Sequence, residues 1–126
     1  MSGEPSAITL TTSDRGDVTL DEPAWCQGHA HHDPETLHAD LIHAGAAVEL
    51  THLGRSLLLA QLVQSPYATA SDVLLGGPVP GVSVWPLGLT LDPVQIYGLA
   101  AGLDGYADRL RDLADQLTAL LSGGAE

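Results

Sequence analysis

The sequence predicts an α+β fold: a small antiparallel β-sheet, a metal-binding loop in the N-terminal half and one long C-terminal α-helix. Three observations carry that expectation. Short stretches of alternating apolar and polar residues recur as far as Trp85, the only cysteine and all six histidines lie between Cys26 and His52, and apolar residues return at steps of three and four from Ile96 onward. Alternation is the period of a strand and the three-four step that of a helix. With 126 residues, 44% of them apolar and 16% charged, residues 1–126 are expected to form a single domain around one core. There is no Phe, so Leu, Val and Ala must fill that core.

Residues 1–20 read as an N-terminal hairpin. Ile8, Leu10 and Thr12 alternate with Thr9 and Thr11, Ser13-Asp14-Arg15-Gly16 supplies turn chemistry, and Asp17-Val18-Thr19-Leu20 alternates again. The Arg15-Gly16-Asp17 tripeptide matches an integrin-binding signal, but three letters in a turn arise easily by chance. Residues 21–45 read as a Cys/His metal loop followed by a short strand, Ala39 to His43, that Ala44-Gly45 ends. Residues 46–90 supply the rest of the antiparallel sheet. Val48 to His52 is one strand, Gly54-Arg55 turns the chain, and Ser56 to Gln64, the most apolar, is placed centrally. Ser65 to Pro80 reads as a loop with at most a short strand at Val73 to Leu75, and Gly81 to Trp85 is a strand closed by Pro86.

The helix is expected over residues 92–122. Asp92 can serve as N-cap, Pro93 suits the first helical position, Gln95 completes a capping box, and Leu91 with Ile96 forms a hydrophobic staple. Ile96, Leu99, Leu103, Tyr106, Leu110, Leu113, Leu117 and Leu120 form a heptad seam, which at the helical rise covers roughly 43 Å. Ala100, Ala107, Ala114 and Leu121 widen the stripe, as in a helix lying on a sheet. Five-residue strands, however, span only about 17 Å. The first half of the helix is therefore expected to pack on the protein's own sheet and the second half to pair with a second copy, giving a homodimer. Gly98, Gly102 and Gly105 each cost up to about 1 kcal/mol against Ala in a helix, and they read as points of close backbone approach.

Seven potential metal ligands, Cys26 and the six histidines, fall within 27 consecutive positions. Zinc takes thiolate and imidazole in tetrahedral sets, commonly as a close pair on a turn plus a second pair from elsewhere. Cys26-x2-His29 has the spacing of such a turn, Gly28 gives it backbone freedom, and His38 and His43 can supply the second pair. The expected site is one zinc held by Cys26, His29, His38 and His43. His31, His32, Asp33, Glu35 or a water are alternatives for the fourth position. His52 shares a strand face with Val48 and Leu50 and reads as a half-buried core histidine, and Trp25 reads as a lid over the loop. The bland reading, a solvated polar turn, does not explain why every Cys and His gathers here. A closed four-ligand site contributes folding free energy. An open one holds water and can hydrolyse, with Asp33, Glu35, Asp40 or Glu49 as base. No HExxH, GxSxG or phosphate-loop motif is present, so no catalytic residue is assigned.

Four arginines, no lysine and 16 carboxylates give a net charge of −12. That field repels phosphate, which disfavours nucleic acid and anionic membrane surfaces as partners. The N-terminal MSGEPSAITL has no basic stretch, and no segment reaches the roughly 18 apolar residues of a membrane span. A single cysteine cannot form an internal disulfide, in keeping with a reducing compartment. The expected location is the cytoplasm.

Pro23-Ala24-Trp25-Cys26-Gln27-Gly28-His29, Ala39-Asp40-Leu41-Ile42-His43-Ala44-Gly45 and Thr90-Leu91-Asp92-Pro93, followed by Tyr97, resemble a group of small uncharacterised actinobacterial proteins classed as a domain of unknown function. The similarity runs from about Val18 to Leu121. It implies a Trp-Cys dipeptide followed by two histidines, carried over onto Trp25, Cys26, His29 and His43 but not His38, and it implies no activity. The function expected is a non-enzymatic, zinc-stabilised accessory or regulatory interaction module, acting as a homodimer on another protein. The alternatives are a metal-dependent hydrolase with an open Cys/His site and a metal-free dimerising interaction protein.

Overall fold

The alternating segments become strands wherever a second segment lies within reach to complete their hydrogen bonds. In the computed structural model, which describes residues 6–122, β1 (Ser6–Thr12) and β2 (Gly16–Glu22) pair antiparallel from Ser6 opposite Glu22 to Thr12 opposite Gly16. The Thr12 hydroxyl donates to the Gly16 carbonyl at 2.8 Å and accepts from the Arg15 N–H at 3.0 Å, closing the turn. Ile8, Leu10, Val18 and Leu20 line one face of this hairpin, and Leu10 and Leu20 are buried with Leu41, flanked by Tyr67. Leu41, 1% exposed, is the most buried apolar residue of that cluster.

The second sheet is organised by β5 (Arg55–Gln64), the strand the sequence marks as central. β3 (His43–Ala44) and β4 (Val48–His52) both pair antiparallel with β5, at Val63–Gln64 and Arg55–Ala60 respectively. β6 (Gly81–Trp85) lies on the other side of β5, and β7 (Leu89–Leu91) pairs with β6. Val63, Val84 and Leu91 are buried.

Five local readings differ from expectation. Residues 38–40 form a turn of 3₁₀ helix, and only His43–Ala44 pairs as a strand. The Asp40 N–H bonds the Leu37 carbonyl at 2.9 Å and the Leu41 N–H bonds the His38 carbonyl at 3.3 Å, so local bonds satisfy groups that a strand would have used in a ladder. Val73–Leu75 is likewise 3₁₀, with the Asp72 carboxylate accepting from the Leu74 N–H at 3.0 Å. β7 was not foreseen, three residues being too few for alternation to register. The β4–β5 turn is made by Leu53 and Gly54, both at positive φ, one position earlier than read. An irregularity between Leu50 and Thr51 interrupts β4, and His52 is exposed, so it is not a core histidine.

The chain divides into two compact units, one ending at Asp92 and the other beginning at Pro93. The second contains α1 (Pro93–Leu121), a helix of 29 residues that starts at the proline suited to a first helical position. The α+β class read from the sequence is the class observed, an antiparallel sheet and one long C-terminal helix. No helix among the described residues is long and apolar enough to cross a membrane.

Candidate metal centre

Glu22 is the last residue of β2, so it leaves the hairpin at its open end. The chain then turns at once: the Cys26 N–H bonds the Pro23 carbonyl at 3.1 Å and the Gln27 N–H bonds the Ala44 carbonyl at 2.9 Å, which ties the loop to β3. Gly28, at φ 96, adopts a conformation that L side chains rarely take, and its N–H points back to the Cys26 sulfur at 3.4 Å. This is the amide-wrapped thiol expected of a Cys-x2-His turn. His43 opens β3, across the sheet from Gln64.

These elements bring four donors together. The ligand atoms of Glu22, Cys26, His29 and His43 all lie within 4.8 Å of one another. The Cys26 Sγ and His29 Nε2 are 3.6 Å apart, Glu22 Oε1 is 3.0 Å from His29 Nε2, and the same oxygen is 2.8 Å from His43 Nδ1. Four donors at zinc-ligand bond lengths stand roughly 3.3–3.6 Å from each other along the edges of a tetrahedron. The group is therefore close to the spacing a shared cation requires.

His43 is the most telling member. Its side chain is 2% exposed, and Nδ1 has no hydrogen-bond partner even though Glu22 Oε1 is near. The distance suits an ion pair but the alignment does not make a hydrogen bond, since hydrogen bonds weaken steeply when bent. Buried polar atoms without partners are rare, and each calls for a reason. The Trp25 ring meets the His43 ring edge-on at 6.4 Å and the His29 ring meets it at 5.5 Å, so the imidazole is walled in on two sides. Trp25 can approach this closely because position 45 is glycine: a Cβ there would lie 3.3 Å from the Leu62 Cβ and 3.4 Å from the Trp25 carbonyl.

The donor chemistry suits a divalent cation. A thiolate and a carboxylate bring two negative charges and two neutral imidazoles complete the set, so a 2+ ion neutralises the group. The sequence reading named Cys26, His29 and His43, and the structure gathers them. His38 stands apart: its ring stacks on Tyr67 with centroids 4.0 Å apart, and its N–H bonds Asp14 at 2.8 Å. The 3₁₀ turn at His38–Asp40 directs it there. His32 Nε2 contacts the Thr11 carbonyl at 2.7 Å, Asp33 accepts from the Glu35 N–H at 2.9 Å, and His31 is exposed, so none of these substitutes joins the group. Glu22 takes the fourth place, and the sequence reading missed it. The available signal was its position just before the loop, at the end of a strand whose direction aims it at Cys26.

A family model matches residues 7–119, nearly the whole described chain. Its description is Domain of unknown function (DUF6907). The chain belongs to this family. All four donors of the DUF6907 chain lie inside the matched span, as do both sheets, apart from Ser6, and most of α1. No curated protein and no solved structure matches it.

Proposed function

We propose that this DUF6907 protein is a non-enzymatic, zinc-stabilised interaction module, an accessory or regulatory element that acts in the cytoplasm on another protein. The observation that supports it most is the buried Nδ1 of His43, which lacks a hydrogen bond and faces Glu22, Cys26 and His29. Leaving such an atom unsatisfied costs about 1–3 kcal/mol, a cost that coordination removes. Zinc is favoured over calcium or magnesium because sulfur and imidazole nitrogen dominate the set, whereas those hard cations take oxygen ligands. A structural role is favoured over hydrolysis because Glu22 fills the position that a catalytic zinc keeps for water. The ion would join the end of the hairpin, the loop and the first strand of the second sheet. The resemblance to actinobacterial proteins with a Trp-Cys, His and later His pattern bears on three of the four donors.

Metal content measured by elemental mass spectrometry on protein purified without chelator tests the reading. The expected result is one zinc per chain in the wild type and none in Cys26→Ser. Metal-free protein whose thermal unfolding is unmoved by EDTA or by added zinc would sink it.

A further inference from the structure

The helix carries a feature that the metal reading leaves unused. Along the seam of α1, Leu103 is 39% exposed, Tyr106 51%, Leu110 48% and Leu113 59%. Tyr106, Arg109, Leu110 and Leu113 stand at relative positions 0, 3, 4 and 7 of one helix face, and they line an open cleft of about 370 Å³ with Asp112 and Gln116 at its rim. The Arg109 guanidinium lies 5.6 Å from the centroid of the Tyr106 ring, which fixes one side of the cleft. Four residues in that arrangement form the hole into which a facing helix inserts a side-chain knob. The opposite face is polar: Arg111 pairs with Asp108 at 2.9 Å, both largely exposed.

We infer that the Leu103–Leu113 face of α1 is a self-association surface, occupied by the same helix of a second copy of this chain. Two observations choose the occupant. A seam with a seven-residue repeat fits another helix with the same repeat, because the under-wound helices keep their apolar edges together over successive turns. Among the described residues α1 is the only α-helix, so the facing helix comes from another chain. A second copy also supplies complementary charge. Each copy's cleft is lined by both Arg109 and Asp112, so a two-fold arrangement can set the cation of one copy beside the anion of the other.

The inference does not depend on zinc. The experiment is sedimentation equilibrium on the 126-residue chain, with and without added zinc, from low micromolar to about 100 µM. The wild type is expected at twice its 13.1-kDa chain mass. Leu110→Glu is expected to sediment as a monomer, and Leu110→Ala, which keeps helix propensity, to raise the dimer Kd by about 30-fold. Ala101→Glu, the same charge placed on the outer face, is expected to leave the dimer intact. A wild type that stays monomeric throughout overturns the proposal, as does a dimer that both Leu110 variants leave unchanged. Far-UV circular dichroism of Leu110→Ala confirms that the helix persists in the variant being read.

Discussion

Residues 21–45 and residues 93–121 are stretches of similar length organised by opposite means. In the first, regular structure beyond the end of β2 amounts to a three-residue turn and a two-residue strand. The stretch is held at a few separate points: Glu22, Cys26, His29 and His43 converge, Leu41 is buried, and hydrogen bonds link Thr36 to Ser13, His38 to Asp14 and Gln27 to Ala44. In the second, a single helix of 29 residues satisfies its own backbone, and its side chains repeat along one face. The difference shows where stability resides. An irregular loop depends on a few specific groups, so single changes there are severe, whereas a helix spreads its stability over many weak, similar terms.

The largest effect is expected at the loop. Cys26→Ser should abolish zinc binding and lower unfolding free energy by about 4 kcal/mol, as losses of a structural metal do. Denaturant melts with and without EDTA should differ for the wild type and coincide for the variant, and a wild type insensitive to EDTA would break the contrast drawn between the two regions. Leu41→Ala removes the most buried apolar side chain of the hairpin cluster and should cost about 3 kcal/mol in the same melts while leaving one zinc per chain. Glu22→Gln keeps shape and removes charge; competition with a zinc-chelating dye should show affinity reduced by about 30-fold, or roughly 2 kcal/mol. His38→Ala, paired with it, should leave zinc affinity unchanged and cost only about 1 kcal/mol through loss of the Tyr67 stack. Equal losses of zinc affinity in both variants would return His38 to the ligand set.

The smallest effect is expected in the helix, and with the opposite sign. A Cβ at Gly98 or Gly102 would meet nothing within 4 Å. Each Gly→Ala change there should therefore add about 0.5–1 kcal/mol and raise the helical signal at 222 nm, with zinc content unaltered. A loss of stability at either position would show that the small residue serves a close approach after all.

What could be read in advance follows the range of the interactions involved. The hairpin, the central strand Arg55–Gln64 and the helix boundary at Pro93 were legible because alternation, turn residues and the heptad step are local. The strand expected at Ala39–His43 was misread because Ala39, Leu41 and His43 alternate with Asp40 and Ile42 as a strand would, while local bonds at Leu37–Leu41 win over a ladder in the fold. Cys26, His29 and His43 could be named because chemistry concentrated in a short stretch is visible in composition. Glu22 is harder to single out, since it is one of 16 acidic residues and only its place just before the loop sets it apart. Only the pairing of Ser6 with Glu22 and of His43 with Gln64 places both strand ends beside the loop.

The sequence by itself determined the class of fold, the extent of the helix and the region where potential metal ligands concentrate, because periodicity and composition act over a few residues. Tertiary structure alone decided the donor set. It excluded His38 by stacking it on Tyr67, admitted Glu22 at the end of β2, and buried His43 Nδ1 without a hydrogen bond. The physical reason is that a coordination group is defined by distances of a few ångströms between residues up to 21 positions apart, and those distances exist only once two sheets and the loop between them have folded.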